Sequence, residues 1–512
     1  MIRLDGSSLT LDQIDAIAGG APFELAPDVP TRVRAARAVV EAHVASGQPV
    51  YGINTGFGAL ADVTIPADQL AALQLNLLRS HAAGVGEPLP VPAVRALIAL
   101  RANVLAKGYS GVRLETLEAL VALANAGVHP WVPTRGSVGA SGDLAPLAHL
   151  ALVLVGEGQA LADAGRHEAA SAPAVMSGAD ALTRAGLTPI TLAPKEGLAL
   201  INGTQASAAV LALAAVAAER LAHAADIAAA MSIDALRGSM HPFEARIHAA
   251  RPVPGQTASA ANLTRLMDGS PVNRSHEHCG KVQDAYALRC APQVHGAARE
   301  AIGFARRLAE IEANAATDNP MVFTDTGEIL SGGNFHGAPI ALAADTLALG
   351  VAQLTTISER RTDRLMTPSA SGLPAFLVRE SGLNSGLMMA HVTAAALTAE
   401  VKVLCHPASV DTIPTSAGRE DHVSMSMGAA LKGARVVELA THVLAIEMLA
   451  SCQAFDLLAP LTTSPPLERV RHVVRTAVPT LVTDRPPAPD IEAIARFITT
   501  GAIERACDLE LR

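Results

Sequence analysis

The sequence predicts a mainly α-helical fold, and three observations lead there. Hydrophobic residues make up 50% of the 512 residues and charged residues only 17%, which is too apolar for disorder. Apolar residues recur at helical spacing along most of the chain, and strand-like stretches are few and short. From Glu196 onward, Ala/Leu-rich runs follow a stretch, 156–195, dominated by Gly, Ala, Pro and Ser. We therefore expect two domains: a smaller, loop-rich N-terminal domain over 1–195 and a long-helix bundle over 196–512. The length exceeds what one small core organises.

Residues 1–50 read as a short strand and two helices. Thr10 with Gln13 forms a capping box that starts a helix near Leu11. Val29, Val33, Ala36, Val40 and Val44 recur at helical spacing, with Gly47 as the stop. Leu70, Leu73 and Leu77 predict a helix running into Ser80-His81. Helices follow over Val91–Lys107 and Leu114–Ala126, and Leu187–Leu192 has the pattern of one strand. The segment from Glu196 to Gln205 leads into a helix that runs past Ile227. Gln283, Tyr286 and Arg289 stand three apart, a spacing that puts all three on one helix face. Residues 425–458 are helical, Pro460–Pro466 and Pro479–Asp490 are turns, and a last short helix takes Asp490 as N-cap.

A chain this apolar either spans a membrane or buries much helix surface. The best candidate span, Ala206–Ala218, is shorter than the roughly 20 apolar residues a spanning helix needs, so buried helices of a large oligomer are expected. Met1-Ile2-Arg3-Leu4-Asp5 lacks the regions of a secretory leader. The five cysteines (Cys279, Cys290, Cys405, Cys452, Cys507) are scattered without CxxC spacing and read as cytoplasmic thiols. The net charge of −9 comes with no basic run, so nucleic acid is not an expected partner. His276-Glu277-His278-Cys279 clusters metal-ligand types but has no second half at a binding spacing, so no metal is expected.

Three segments break the helical pattern in ways that suggest chemistry. Tyr51-Gly52-Ile53-Asn54-Thr55-Gly56-Phe57-Gly58 puts one of only three tyrosines in a glycine loop that matches no phosphate cradle. The dense polar block from Pro414 to Met425 lies between apolar helices. Gly136-Ser137-Val138-Gly139-Ala140-Ser141-Gly142-Asp143-Leu144-Ala145-Pro146-Leu147 is rich in small residues. It reads either as a glycine-rich linker ahead of an apolar helix or as a turn tight enough to react with itself. In the second reading the Gly142 nitrogen attacks the Ala140 carbonyl carbon, and loss of two waters leaves a methylidene carbon. The product is a 4-methylidene-imidazol-5-one (MIO), an electrophile made from the chain. A serine-hydrolase elbow is excluded, because Asp143 stands where a second glycine is required.

Residues 136–149, ending Leu144-Ala145-Pro146-Leu147-Ala148-His149, resemble the MIO-dependent aromatic amino-acid ammonia-lyases and aminomutases. The resemblance covers nearly the whole chain, through seven motifs in family order: 51–58, 80–86, 136–149, 196–205, 281–290, 331–336 and 407–428. It implies a fumarase/aspartase-like helical architecture, with the electrophile in the N-terminal domain, and a homotetramer whose active sites are shared between subunits. It also implies roles. Ala140, Ser141 and Gly142 form the MIO, the only cofactor. Tyr51 matches the catalytic tyrosine, Asn202 and Tyr286 match side chains near the electrophile, and Arg289 matches the carboxylate anchor. Gln283 and Phe335 line the site, and His81 and Glu420 match the pocket for the substrate side chain. Ser80-His81 and Glu420 resemble the histidine-specific branch, which converts L-histidine to trans-urocanate and ammonia as the first step of histidine degradation; phenylalanine- and tyrosine-specific members commonly have Gln where Glu420 stands. Competing expectations are a phenylalanine or tyrosine ammonia-lyase, an aminomutase, or a helical scaffold that has lost activity. The chain departs from the family at Gly418-Arg419, where an amide usually precedes the glutamate. Arg419 is expected to point away from the imidazole site.

Overall fold

The computed structural model describes residues 1–161, 175–277, 280 and 282–512. The 162–174 part of the expected linker, and Lys281, His278 and Cys279, lie outside the described residues. Among the described residues the fold is mainly helical, and no strand exceeds the four residues of Val85–Pro88. The chain divides into two compact units. The first comprises Met1–Leu213, Arg306–Asp345 and Pro407–Leu431; the second comprises Ala214–Ala305, Thr346–His406 and Lys432–Arg512. The expected boundary near residue 195 falls inside the first unit, which the chain enters three times.

The first unit opens as its spacing predicts. Ile2–Leu4 is a strand, and the helix Leu11–Ala18 carries the Thr10/Gln13 capping box. The helix Val29–Ser46 ends at Gly47 in the left-handed conformation. Phe23–Leu25 is a second strand, parallel to Ile2–Leu4, that the sequence reading missed. Helices Leu70–His81, Val91–Ala106 and Leu114–Asn125 lie where expected. Leu187–Leu192 forms no strand; Pro189 has no N–H for a ladder. The helix expected from Glu196 is two: Glu196–Ile201 stops at Asn202, which is extended, and Gln205–Ala235 begins afresh. The strap between them, Asn202-Gly203-Thr204, backs the site described below.

Span length does not exclude a membrane-crossing helix here. The helix that contains Ala206–Ala218 is 31 residues long, and with Ala338–Met366 and Ser426–Leu458 it is long and apolar enough to cross a membrane. Burial is what distinguishes these helices: 72%, 67% and 89% of their apolar windows are covered inside the protein.

In the second unit, Gln283 precedes the short helix Tyr286–Arg289 and lies outside it. The expected single helical stripe therefore does not form. The last helices begin at Ala488, with Pro487 rather than Asp490 as N-cap, and at Ala502. A buried polar network fixes this unit's interior. Asp226, fully buried, accepts bonds from His295 Nδ1 (2.7 Å), Arg299 Nη2 (2.6 Å), Ser259 Oγ (2.6 Å) and Asn262 Nδ2 (2.9 Å). Arg361 forks onto Glu447 and donates to His295 Nε2, and Ser232 Oγ also donates to Glu447. Burial alone would raise the Asp226 carboxyl; Arg299 and His295 outweigh it and hold it below the carboxylate range. Five helices each supply a member, so the network specifies their register. Asp226→Ala would strand Arg299 in the interior, at a cost of about 3–5 kcal/mol. We expect the melting temperature to fall by roughly 10 °C; a fall under about 2 °C in a thermal melt would show the network to be idle.

Candidate active site

The site of the first unit is built on a close approach of two backbones. Gly142 has φ +69°, and a Cβ there would lie 2.2 Å from the Gly203 carbonyl oxygen, so only glycine fits. The next amide, Asp143 N–H, donates to that same oxygen at 2.7 Å. The Asp143 side chain, fully buried, accepts from Ser137 Oγ (2.7 Å), Ser207 N (2.7 Å) and Ser207 Oγ (2.8 Å). Burial pushes its carboxyl up, against the pull of these donors. Asn202 Nδ2 donates to the Ser141 carbonyl at 3.1 Å, and its Oδ1 is buried without a partner.

The outer side of the turn faces the polar block. Ser141 Oγ donates to Glu420 Oε1 at 2.6 Å, and Thr415 Oγ1 donates to Glu420 Oε2 at 2.5 Å. Met425 N–H bonds to the Val138 carbonyl (2.7 Å), and the Gly139 carbonyl accepts from Ser424 Oγ (2.8 Å) and Gly337 N–H (3.2 Å). Arg419 pairs with Asp62 at 3.5 Å, while Glu420 is taken by Ser141 and Thr415.

The other first-unit residues named from sequence are His81, Tyr51 and Phe335. His81 Nδ1 lies 2.9 Å from the Leu77 carbonyl. A carbonyl only accepts, so Nδ1 carries the proton and the neutral ring keeps Nε2 as an acceptor. Burial lowers the pKa of His81, opposed by the Leu77 bond and the charge of Glu420. The Tyr51 loop is anchored by Ile53, buried against Ala36, Val40 and Val322. Its following turn, Gly58–Leu60, packs on Ser416–Gly418 just before Glu420. Tyr51 itself is half-buried and meets Phe57 edge-on, ring centroids 6.4 Å apart. Phe335 is half-buried on a turn tied to the polar block: His336 Nε2 donates to the His422 carbonyl at 3.1 Å, and the two rings stack.

Gln283, Tyr286 and Arg289 belong to the second unit. Gln283 and Arg289 line one cavity of about 410 Å³, and the Arg289 guanidinium lies 4.7 Å over the Tyr286 ring. Tyr286 is 70% exposed, which leaves it available to a neighbour.

The sequence reading gave no role to Thr415, Ser424, Asp143 or Arg101, the polar supports of the turn. Arg101 carried a signal: like Arg95, it is a cation inside the largely apolar helix Val91–Ala106.

The aromatic amino acid lyase family model matches residues 9–476. A histidine ammonia-lyase of Anaeromyxobacter sp. (strain K) is 58% identical over 507 residues, covering 98% of this chain and 99% of that one. The crystal structure of histidine ammonia-lyase from Trypanosoma cruzi superposes with a TM-score of 0.91 at 46% identity, covering 99% of this chain and 95% of that one. The tyrosine aminomutase of Streptomyces globisporus gives 0.93 at 38% identity, covering 100% of both. The chain belongs to the aromatic amino acid lyase family. It is a carbon–nitrogen lyase with the helical fumarase/aspartase-like architecture.

Gly142→Ala tests the backbone approach. A left-handed alanine costs about 1–2 kcal/mol before any clash. We expect a lower melting temperature and a crystal structure in which Asp143 N–H has left the Gly203 carbonyl. An unchanged melt with that bond intact would show that the approach does not require glycine.

Proposed function

We propose that this chain is a histidine ammonia-lyase, which eliminates ammonia from L-histidine without oxidation to give trans-urocanate. One observation carries the reading: the Ser141 hydroxyl is hydrogen-bonded to a carboxylate, Glu420, with the ring of His81 within its electrostatic reach. Against a phenyl ring, a partly buried carboxylate would lose hydration with nothing in return. Against an imidazole, it accepts a ring N–H. The 58% identity to a histidine ammonia-lyase supports the same choice.

The residues present fit an MIO formed from Ala140-Ser141-Gly142. The turn admits no side chain at Gly142, and a buried acceptor without a partner, Asn202 Oδ1, stands beside Ser141. Such a group supplies an electrophilic carbon that makes the substrate's amine a better leaving group. The chain's own residues do the rest. Arg289 binds the substrate carboxylate, for which its planar fork is suited, and Gln283 and Phe335 line the site. Glu420 and the Nε2 of neutral His81 hold the imidazole ring, which fixes the β-carbon. Tyr51 removes the β-proton as general base, a role for which a phenol needs nearby dipoles. Asn202 and Tyr286 contact the departing nitrogen. In the net reaction the Cα–N and Cβ–H bonds break and an alkene forms, so no electron acceptor is required.

We also read the enzyme as a cytoplasmic homotetramer that takes no external cofactor and no metal. Residues 1–195 bear the electrophile, and 196–512 form the helix bundle that assembles. Apolar residues left open on the helix Met388–Leu404, such as Met389 (57% exposed) and Val403 (73%), support assembly, as does the open Tyr286. Light scattering should return a particle of four 52.5-kDa chains; a monomer would contradict a shared site.

Incubation with L-histidine, L-phenylalanine and L-tyrosine tests the substrate. We expect near-ultraviolet absorbance from urocanate with histidine and at least ~100-fold lower kcat/KM with the others, as expected when a buried polar group loses its partner. A β-amino acid product would indicate an aminomutase, and no product from any would indicate a scaffold. Arg419→Gln should change histidine turnover less than about threefold, since an exposed ion pair contributes ~1 kcal/mol or less. A large rise in turnover would mean that Arg419 competes for the imidazole.

A further inference from the structure

Arg101 sits at the centre of the helix Val91–Ala106 and is fully buried. A cation there is costly, and an apolar side chain would fill the same space. Its two terminal nitrogens have separate targets. Nη2 donates to the Ala199 carbonyl, in the last turn of the helix Glu196–Ile201. Nη1 donates to Gln205 Oε1 at 2.5 Å, and Gln205 is the first residue of the helix Gln205–Ala235. The guanidinium therefore grips both ends of the strap Asn202-Gly203-Thr204.

That strap is the wall behind Ala140-Ser141-Gly142. Gly203 bridges Gly142 and accepts the Asp143 N–H, and Asn202 holds the Ser141 carbonyl. Its far face is supported too: Thr204 donates to Glu312, and Gln205 Nε2 donates to Thr317 Oγ1 at 2.6 Å. The fit around Arg101 is tight. A Cβ on Gly203 would lie 2.3 Å from Arg101 Nη1 and 2.3 Å from Gln205 Oε1. Lysine, a single point donor, reaches one of the two acceptors; the arginine fork reaches both.

We propose that Arg101, acting through Ala199 and Gln205, is a positioning residue for the self-cyclisation of Ala140-Ser141-Gly142. In that step the Gly142 nitrogen bonds to the Ala140 carbonyl carbon. The first water takes the Ala140 oxygen with the hydrogens of the Gly142 and Ser141 amides. The second takes the Ser141 hydroxyl with the Ser141 α-hydrogen. Every atom comes from the turn, so the protein contributes position, and a strap loosened at either end removes the wall against which the turn closes. The inference rests on the proposed MIO.

The test is the intact mass of purified wild type and variants, followed over time after synthesis, together with thermal melts. Wild type should be lighter by two waters. R101K and Q205A should fold yet lose the two waters roughly 10- to 100-fold more slowly, the scale of a small misplacement. Q205E, which still accepts from Arg101, should restore the loss. Q205A keeps Arg101 and its bond to the Ala199 carbonyl, and carries the test if R101K fails to fold. Wild-type rates of water loss in folded R101K and Q205A would overturn the positioning role alone. A wild-type chain of unmodified mass would overturn the cyclisation as well, and the role of Arg101 with it.

Discussion

The structure depends on one contact between two stretches of backbone. Gly142 lies so close to Gly203 that a methyl group on it would meet the Gly203 carbonyl oxygen at 2.2 Å, and one on Gly203 would meet Arg101 and Gln205 on the other side at 2.3 Å. Interiors are close-packed, and such an approach persists only where both strands are held from behind. On one side the holders are Asp143 with Ser137 and Ser207, and the 424–426 segment on Val138 and Gly139. On the other they are Arg101, Gln205 and Glu312. The chemistry proposed for the turn follows from this compression, and so does the polarity of an interior that is otherwise apolar.

The same logic explains why carboxylates and cations are buried beneath the turn. Lys195 and Asp318, both fully buried, pair at 3.0 Å, and the charge of Asp318 also acts on Arg101. Burial pulls the Arg101 guanidinium down to about 10, so it remains cationic at neutral pH. A half-satisfied network would be worse than an apolar core. Here most members have partners; Asn202 Oδ1 and Arg101 Nε are buried without one. In the second unit, Asp226, His295, Arg361 and Glu447 apply the same device to helix register.

Much of this was legible in the sequence. The Thr10/Gln13 box, the Val29–Val44 stripe and the Gly47 stop are local signals, and local signals survive folding. The family motifs led to Ser141 and Glu420, which lie 279 positions apart and meet at 2.6 Å. Local signals failed where tertiary bonds override them. The helix from Glu196 breaks at Asn202 because the strap is needed there, and Gln283 leaves the helical face its spacing promised. Glu219-Arg220 ends the apolar run, yet the helix continues through them to Ala235. Arg101 shows in the sequence as a cation in a largely apolar helix, but its role does not, because its partners lie about a hundred positions away.

The central claim is that Ala140-Ser141-Gly142 becomes an electrophile. Reduction with sodium borodeuteride followed by peptide mapping addresses it directly. The account predicts one deuterium delivered to the Ser141 side-chain carbon, within the peptide that carries residues 136–149, along with loss of activity. An unlabelled peptide whose mass is that of intact Ala-Ser-Gly, from enzyme that is still active, would contradict it.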